Sequence, residues 1–398
     1  MAFLGLIFGI CIKRKVIVDI VVLSAIGMII VMLFWNNYTI KDVGIVGMYG
    51  LLLPVFFFIV CWRNSDWHIE LLTIMMVFGI FYAFWTIICL AYPTIYYQHI
   101  ASLMQSLYPQ ISYDINPEAG LTAHYSTNGM YLANGVIATL CKWLLSDKNA
   151  TKSRKLYIIA ISFQAAALLI SGKRGPLLCV IIALYVAYFL YHINKPKGRF
   201  FKLVLISLLA MIILYLAILI VPALANPFMR MFQMMNTDDV STGRFDLWAA
   251  GWRDFLQSPL IGRGWRWFYY NDTQVFANFD IHNVYLQFLV ETGILGSITF
   301  YVFIFVNYYR TVKLTKAWRR EIFQDGNSIN YGILLFCIIY QTYYLIFIFE
   351  GTAFFNPEAM FPYIASCAMT QYIYRNSKIR KVDYDALKAK DGRKKIWA

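Results

Sequence analysis

The sequence predicts an all-α, polytopic integral membrane protein of about ten transmembrane helices, with one large external loop that contains short helices. Three observations lead to this fold class. Of the 398 residues, 60% are hydrophobic and only 14% are charged, which leaves too little polar surface to cover a soluble domain. Apolar runs of bilayer-spanning length recur along the whole chain. The Lys and Arg residues cluster in the short gaps between these runs, as is usual for membrane proteins.

A transmembrane helix needs roughly 20 apolar residues, and the predicted spans are close to that length. In chain order they are Val16–Trp35, Gly44–Trp62, Ile69–Tyr92, Leu121–Leu145, Leu156–Ser171, Pro176–Ile193, Leu203–Val221, Tyr285–Tyr308, Tyr331–Phe349 and Met360–Tyr374. They divide the chain into N-terminal helices (1–120), central helices (121–221), a large extracytoplasmic loop (222–284), C-terminal helices (285–374) and a basic cytoplasmic tail (375–398).

The charge distribution predicts the orientation of these spans. Most of the 35 Lys and Arg residues lie in alternate gaps that include both ends of the chain, which places both termini in the cytoplasm. Arg310 is counted in one of these cytoplasmic gaps, and Asp19, inside the first span, is expected to pair with Lys15 one turn away. The net charge of +14 therefore encodes orientation, and nucleic acid is excluded as a partner.

The large loop departs from this distribution, because five arginines lie on the side of the membrane that usually lacks positive charge. Some are expected to pair with aspartates of the loop. Two or three are expected to bind an anionic ligand, because a guanidinium presents a planar fork of donors that suits phosphate oxygens. The sequence therefore predicts an anion site that draws on this loop.

A short amphipathic helix is predicted inside the loop, lying on the membrane surface and ending at Ser258-Pro259. Ser241 or Thr242 is expected to cap its start. Helical spacing then puts four aromatic residues on one face: Phe245, Trp248, Trp252 and Phe255. Aromatic residues at such spacing serve packing more often than substrate binding, and a turn at 261–265 follows the helix.

A very short turn between the fifth and sixth spans carries Lys173 and Arg174 directly before Pro176. Proline is favourable in the first turn of a helix, and the helix N-terminus adds partial positive charge and free backbone donors. Together these features predict an anion-binding site. The alternative is that both side chains extend to the phosphates of membrane lipids.

His282 lies where the large loop re-enters the membrane. A histidine with its ordinary pKa of about 6.5 can orient or deprotonate a hydroxyl group, although a lone histidine is more often a packing or surface residue. None of the five histidines has metal-ligand spacing to another, and the seven cysteines are scattered singly, so no metal site is predicted. The carboxylates Glu291, Glu350 and Glu358 are interpreted first as structural partners of arginines.

Three short motifs occur in order along the chain. Arg174-Gly175-Pro176-Leu177-Leu178 reads R-x-x-x-L, and His282 is followed after ten residues by Gly293. Between them, residues 241–264 combine Arg244 and Trp248 with a Pro-Leu-x-Gly-x-Gly turn. From about Gly120 to its C-terminus the chain thus resembles the O-antigen ligase and O-antigen polymerase superfamily of bacterial membrane glycosyltransferases.

The resemblance implies an inverting, metal-independent glycosyl transfer on the outer side of the bacterial inner (plasma) membrane, with no cofactor. The donor would be a glycan on a polyprenyl diphosphate, with undecaprenyl diphosphate as the expected carrier, and the acceptor a glycan or another lipid-linked molecule. Arg174 and Arg244 are assigned to the diphosphate and His282 to the acceptor hydroxyl. Five further residues are candidates for substrate binding: Lys173, Trp248, Arg263, Arg266 and Glu350.

The acceptor distinguishes the possible functions. A polymerase of repeat units for O-antigen, capsule or exopolysaccharide is favoured, because ligases of this family are described with twelve spans and this chain has about ten. A ligase that transfers glycan to lipid A-core and an enzyme that modifies a protein hydroxyl are alternatives. From a different class, a transporter of a lipid-linked glycan or anionic solute is the other candidate, although no internal repeat is evident.

Overall fold

The computed structural model describes residues 19–34, 67–107, 116–194, 197–235, 243–271, 279–320 and 331–377. Within these ranges the chain is predominantly helical and forms no strand, so the predicted all-α polytopic fold is confirmed there. The predicted span Gly44–Trp62 and almost all of the basic tail lie outside the described residues.

Within the described ranges, short turns and brief helical segments separate the longer helices. In chain order the α-helices are α1 (Ile20–Phe34), α2 (Trp67–Ala91), α3 (Pro93–Ile95), α4 (Ala101–Leu107), α5 (Tyr125–Leu145), α6 (Thr151–Ile170), α7 (Arg174–Tyr191), α8 (Arg199–Ile220), α9 (Asn226–Met235), α10 (Arg244–Gln257), α11 (Trp267–Asn271), α12 (Val284–Arg319), α13 (Ile333–Glu350) and α14 (Pro357–Asn376). A π-helical turn (Tyr96–Ile100) and three 3₁₀ segments (Pro117–Ala119, Pro222–Ala225 and Ala353–Phe355) complete the described helical structure.

Six of these helices are long and apolar enough to cross a membrane, namely α2, α6, α7, α8, α12 and α13, and α1 is a shorter apolar helix. Two further predicted spans coincide with α5 and α14, which carry more polar residues. In α5, the Asn134 side chain donates to the Glu358 carbonyl at 2.7 Å and accepts from the Tyr340 hydroxyl at 2.7 Å. Such groups face neighbouring helices, which satisfy them inside the bundle.

The bundle has a centre and a periphery. Helix α13 packs against α7, α12 and α14, and 78% of its apolar span is buried, whereas none of the apolar span of α8 is buried. On the other side α2 packs along α5 and α6. Gly79 of α2 and Gly135 of α5 touch so closely that a Cβ on either would overlap the other, since small residues let membrane helices approach.

Helix α12 is broken at Gly293, where φ is 64° and ψ is −173°, a conformation that is almost exclusive to glycine. The turn at residues 258–264 of the large loop fits into this break. Four backbone hydrogen bonds of 2.8 to 3.1 Å join the two: Arg263 N–H to Val290, Gly264 N–H to Glu291, Ile294 N–H to Pro259 and Leu295 N–H to Leu260. A Cβ at Gly262 would overlap this backbone. The large loop is therefore fixed to α12 through main chain.

Arg310 lies inside α12, two residues beyond the predicted end of the span at Tyr308, and joins three helices. Its guanidinium donates to both oxygens of Asp19, at 2.5 and 2.8 Å, and to Gln371 Oε1 at 2.6 Å. It also lies 4.4 Å from the ring centre of Tyr374. The predicted partner Lys15 falls outside the described residues, and Arg310 takes the role of partner to Asp19. Hydropathy is a local property of the sequence, so it could not predict a pair whose members lie 291 positions apart.

Candidate active site

A cavity of about 430 Å³ lies where α7 and α10 begin and α13 ends. Six of the eight residues predicted for the site line this cavity: Lys173, Arg174, Arg244, Trp248, His282 and Glu350. They come from four separate parts of the sequence. The fold thus brings together most of the residues that the sequence singled out, with cations and apolar side chains on the same wall.

The start of α7 supplies two of the cations. Gly172, with φ of 67°, turns the chain after α6, and Lys173 takes the N-cap position of α7 without a side-chain cap. Lys173 Nζ lies 4.8 Å from the centre of the Tyr125 ring, a cation–π distance. Because a helix N-terminus carries partial positive charge, this turn concentrates positive potential at the cavity.

Arg244 is the first residue of α10 and supplies the third cation. Gly243 occupies the N-cap position with φ of 79°, and the predicted capping residues Ser241 and Thr242 lie outside the described residues. An arginine at a helix N-terminus is opposed by the helix dipole. The position of Arg244 is therefore explained by its contacts in the cavity, because the dipole of α10 does not stabilise a positive charge there.

The aromatic face predicted for α10 is split by the packing. Phe255 is 8% exposed and packs with Phe268, Ile281 and Val290 in a small core under the loop. Phe245 is 64% exposed, and its ring lies at the cavity beside Trp248. The helix therefore anchors the loop with one side and presents aromatic surface with the other.

Glu350, the last residue of α13, places a carboxylate among these cations. Its Oε2 lies 3.4 Å from Arg244 Nη1, and both side chains are about a third exposed (28% and 33%). Its Oε1 lies so close to Gly175 that a Cβ there would overlap it. The expectation that Glu350 pairs with an arginine is confirmed, and the pair lies in the cavity wall.

His282 is held just before α12 by the start of that helix. Its φ is 55°, and the side chain of the next residue, Asn283, caps α12 by accepting from the Leu286 N–H at 3.1 Å. Burial lowers the pKa of His282 below 6.5, and the nearby Arg244 and Lys173 lower it further, against the opposing effect of Asp280. The imidazole is consequently neutral at pH 7 and able to accept a proton.

Arg263 and Arg266 are not among the residues that line the cavity. The guanidinium of Arg263 stacks 4.2 Å from the Trp267 ring. Arg266 forms an ion pair with Asp280 and lies 4.2 Å from the Tyr269 ring. Their positions support the fold of the loop, and the structure does not bring them to the predicted site.

Residues 156–301 match a family model described as O-antigen ligase. This segment is similar to the O-antigen ligase and polymerase superfamily. The match confirms the resemblance predicted from the motifs, and at family level it indicates a membrane glycosyltransferase that acts on lipid-linked glycans. No curated protein matches the chain.

The superfamily motifs have distinct places in this geometry. The R-x-x-x-L motif forms the start of α7, and its Arg174 lines the cavity. In the second motif His282 lines the cavity, while Gly293 forms the helix break that receives the loop turn. Glu350 lies beyond the matched segment, yet it contributes to the same wall.

Several lining residues were not predicted, among them Gly175, Met231 and Asn356. Gly175 belongs to the R-x-x-x-L segment, and its role follows from the approach of Glu350, which is 175 positions away along the chain. No local sequence signal reports such a contact. Met231 belongs to the short helix α9, whose apolar and polar residues alternate at helical spacing, a signal that was available.

Proposed function

We propose that the protein polymerises polyprenyl-diphosphate-linked oligosaccharide repeat units on the outer side of the inner membrane, with both termini in the cytoplasm. The observation that carries this proposal is the convergence of Lys173, Arg174 and Arg244 with His282 on one cavity. A donor diphosphate is a compact anion on an apolar chain. It suits a cavity whose wall combines these cations with Met231 and Phe245.

The reaction follows from the assignment of these groups. The acceptor hydroxyl oxygen attacks the anomeric carbon of the donor sugar from the side opposite the diphosphate, so the configuration inverts. The carbon–oxygen bond to the diphosphate breaks, and its electron pair leaves with the polyprenyl diphosphate. His282 takes the hydroxyl proton, and Arg174 and Arg244 stabilise the charge that develops on the leaving group without a metal ion.

The test is the glycan profile of cells that carry the wild type, Arg174→Ala, Arg244→Ala or His282→Ala. Loss of long polysaccharide with accumulation of lipid-linked single repeats is the expected result for a polymerase. Arg253→Ala is the matched control, because Arg253 is exposed on the same helix as Arg244 and does not line the cavity. Membrane abundance of each variant is measured by immunoblot.

The other outcomes separate the alternatives. Polymer that persists on its lipid carrier and fails to reach lipid A-core identifies a ligase, which the description of the family model makes the second candidate. An unchanged glycan in all three stable variants contradicts an enzyme of either kind. Purified protein that moves a lipid-linked glycan across vesicles without changing its covalent state then identifies a transporter.

A further inference from the structure

The anion site predicted at the start of α7 already contains an anion that belongs to the protein. The Glu350 carboxylate lies against Gly175, within the first turn of α7, and 3.4 Å from the guanidinium of Arg244. Lys173 and Arg174 line the same cavity. The carboxylate thus occupies the position between the α7 N-terminus and Arg244 that an external phosphate would take.

The helix ends show why this contact is specific. Glu350 ends α13, where the helix dipole disfavours a negative charge, and Arg244 begins α10, where the dipole disfavours a positive charge. Neither position is favourable for its own helix. The start of α7, in contrast, favours a carboxylate, so the position of Glu350 is explained by the α7 N-terminus and Arg244 together.

The pair is also open to exchange. A single contact of 3.4 Å joins the two side chains, and each retains about a third of its exposure, at 33% for Arg244 and 28% for Glu350. An ion pair of this kind contributes little net free energy. A diphosphate, with more charge and more acceptor oxygens, can therefore replace the carboxylate at Arg244 without breaking a strong interaction.

We propose that Glu350 is an internal counter-anion that occupies the phosphate position of the empty site, yields it to the donor diphosphate, and returns to promote release of the diphosphate product. Glu350 is a positioning residue in this role, since it acts through Arg244 and the α7 N-terminus. The inference rests on the proposed function, because it requires the cations to bind a diphosphate.

The consequence is that Glu350 weakens anion binding and speeds turnover. Removal of one competing charge is expected to tighten binding of inorganic diphosphate roughly fivefold. Catalysis should change in the opposite sense. The apparent KM for the donor falls and kcat falls with it, because the product leaves more slowly. A purely structural role would lower activity without any gain in affinity.

The experiment measures binding of inorganic diphosphate to the purified full-length protein by isothermal titration calorimetry. Glu350→Gln removes the charge at nearly constant size, and Glu350→Ala removes the side chain in case the amide fails to fold. Asp246→Asn is the control, because it makes the same charge change on an exposed residue in the first turn of α10, outside the cavity.

Tighter binding by either Glu350 variant, with Asp246→Asn unchanged, is the expected result. If the wild type binds diphosphate and the folded Glu350 variants bind it equally or more weakly, the inference is wrong and the proposed function stands. If no variant binds diphosphate, the inference fails together with the proposed diphosphate site.

Discussion

Two of the arginine–carboxylate pairs described above differ in burial and in hydrogen bonding. Arg310 and Asp19 share two hydrogen bonds of 2.5 and 2.8 Å, and their side chains are 11% and 17% exposed. Gln371 adds a third bond to the guanidinium. Arg244 and Glu350 share one contact of 3.4 Å in a cavity wall.

This difference indicates which pair can open and exchange its partner for a ligand. In a buried pair with several hydrogen bonds, the loss of one partner leaves an uncompensated charge, so the pair stays closed and fixes the helices that carry it. A pair whose side chains are about a third exposed and share one contact costs little to open. We interpret the Asp19–Arg310 pair as structural and the Arg244–Glu350 pair as part of the substrate site.

The largest expected effect comes from breaking the closed pair. Arg310→Ala leaves Asp19 and Gln371 without their partner and is expected to cost about 3–5 kcal/mol of stability. The measurement is the yield of folded protein in the membrane and its thermal unfolding in detergent. The charge exchange Asp19→Arg with Arg310→Asp should recover part of the loss. A stable but inactive Arg310→Ala variant would contradict the structural interpretation.

The open pair should behave in the reverse way. Arg244→Ala is expected to lower kcat/KM by about 10²–10³-fold, because it removes one preorganised positive charge that stabilises the leaving group. Its unfolding free energy should change by less than about 1 kcal/mol. Comparison with Arg253→Ala by thermal unfolding and glycan transfer checks both statements. Equal losses of activity in the two variants would show that the position on α10 is not special.

A third variant tests how the large loop reaches the cavity. Gly293→Ala requires a non-glycine residue at φ of 64°, at a cost of about 1–3 kcal/mol, and its Cβ overlaps the backbone of Leu260. The expected result is reduced transfer with an intact Asp19–Arg310 pair. Gly198→Ala is the control, because Gly198 also has positive φ, at 75°, but a Cβ there meets nothing within 4 Å. Similar activity in both variants would contradict a role for the helix break.

The smallest expected effect concerns the pH dependence. Lys173 helps to hold the pKa of His282 below 6.5, so Lys173→Gln should raise that pKa. Because the base must be neutral, activity is lost as pH falls through this pKa. The acid limb of the kcat/KM profile should therefore move to higher pH, by less than about one unit. A shift to lower pH would contradict the assignment of the limb to His282.

Periodicity and composition predicted the helices well. Nine of the ten predicted spans coincide with described helices, because length and hydropathy are local properties of the chain. The prediction is less accurate where a helix carries a polar residue whose partner lies on a distant helix. The helix that contains Arg310 continues to Arg319, whereas the predicted span ends at Tyr308, and the partner Asp19 lies 291 positions away along the chain.

The candidate site was predicted in part for the same reason. Arg174, Arg244 and His282 stand out because a charge or an imidazole beside an apolar run is a local signal. Arg263 and Arg266 stand out equally, yet they stack on neighbouring rings of the loop. The contact of Glu350 with Gly175 depends on how α7 meets α13, which no local pattern encodes.

The main-chain seam between the 258–264 turn and the break in α12 has a consequence for grafting and redesign. Its four hydrogen bonds use backbone groups, so the register at this contact depends on backbone geometry that Gly262 and Gly293 allow. A redesigned loop could therefore carry different side chains at its exposed positions and still join α12 through the same backbone hydrogen bonds. Such a redesign needs to keep Gly262 and Gly293, because a Cβ at either position would overlap the backbone of the other segment.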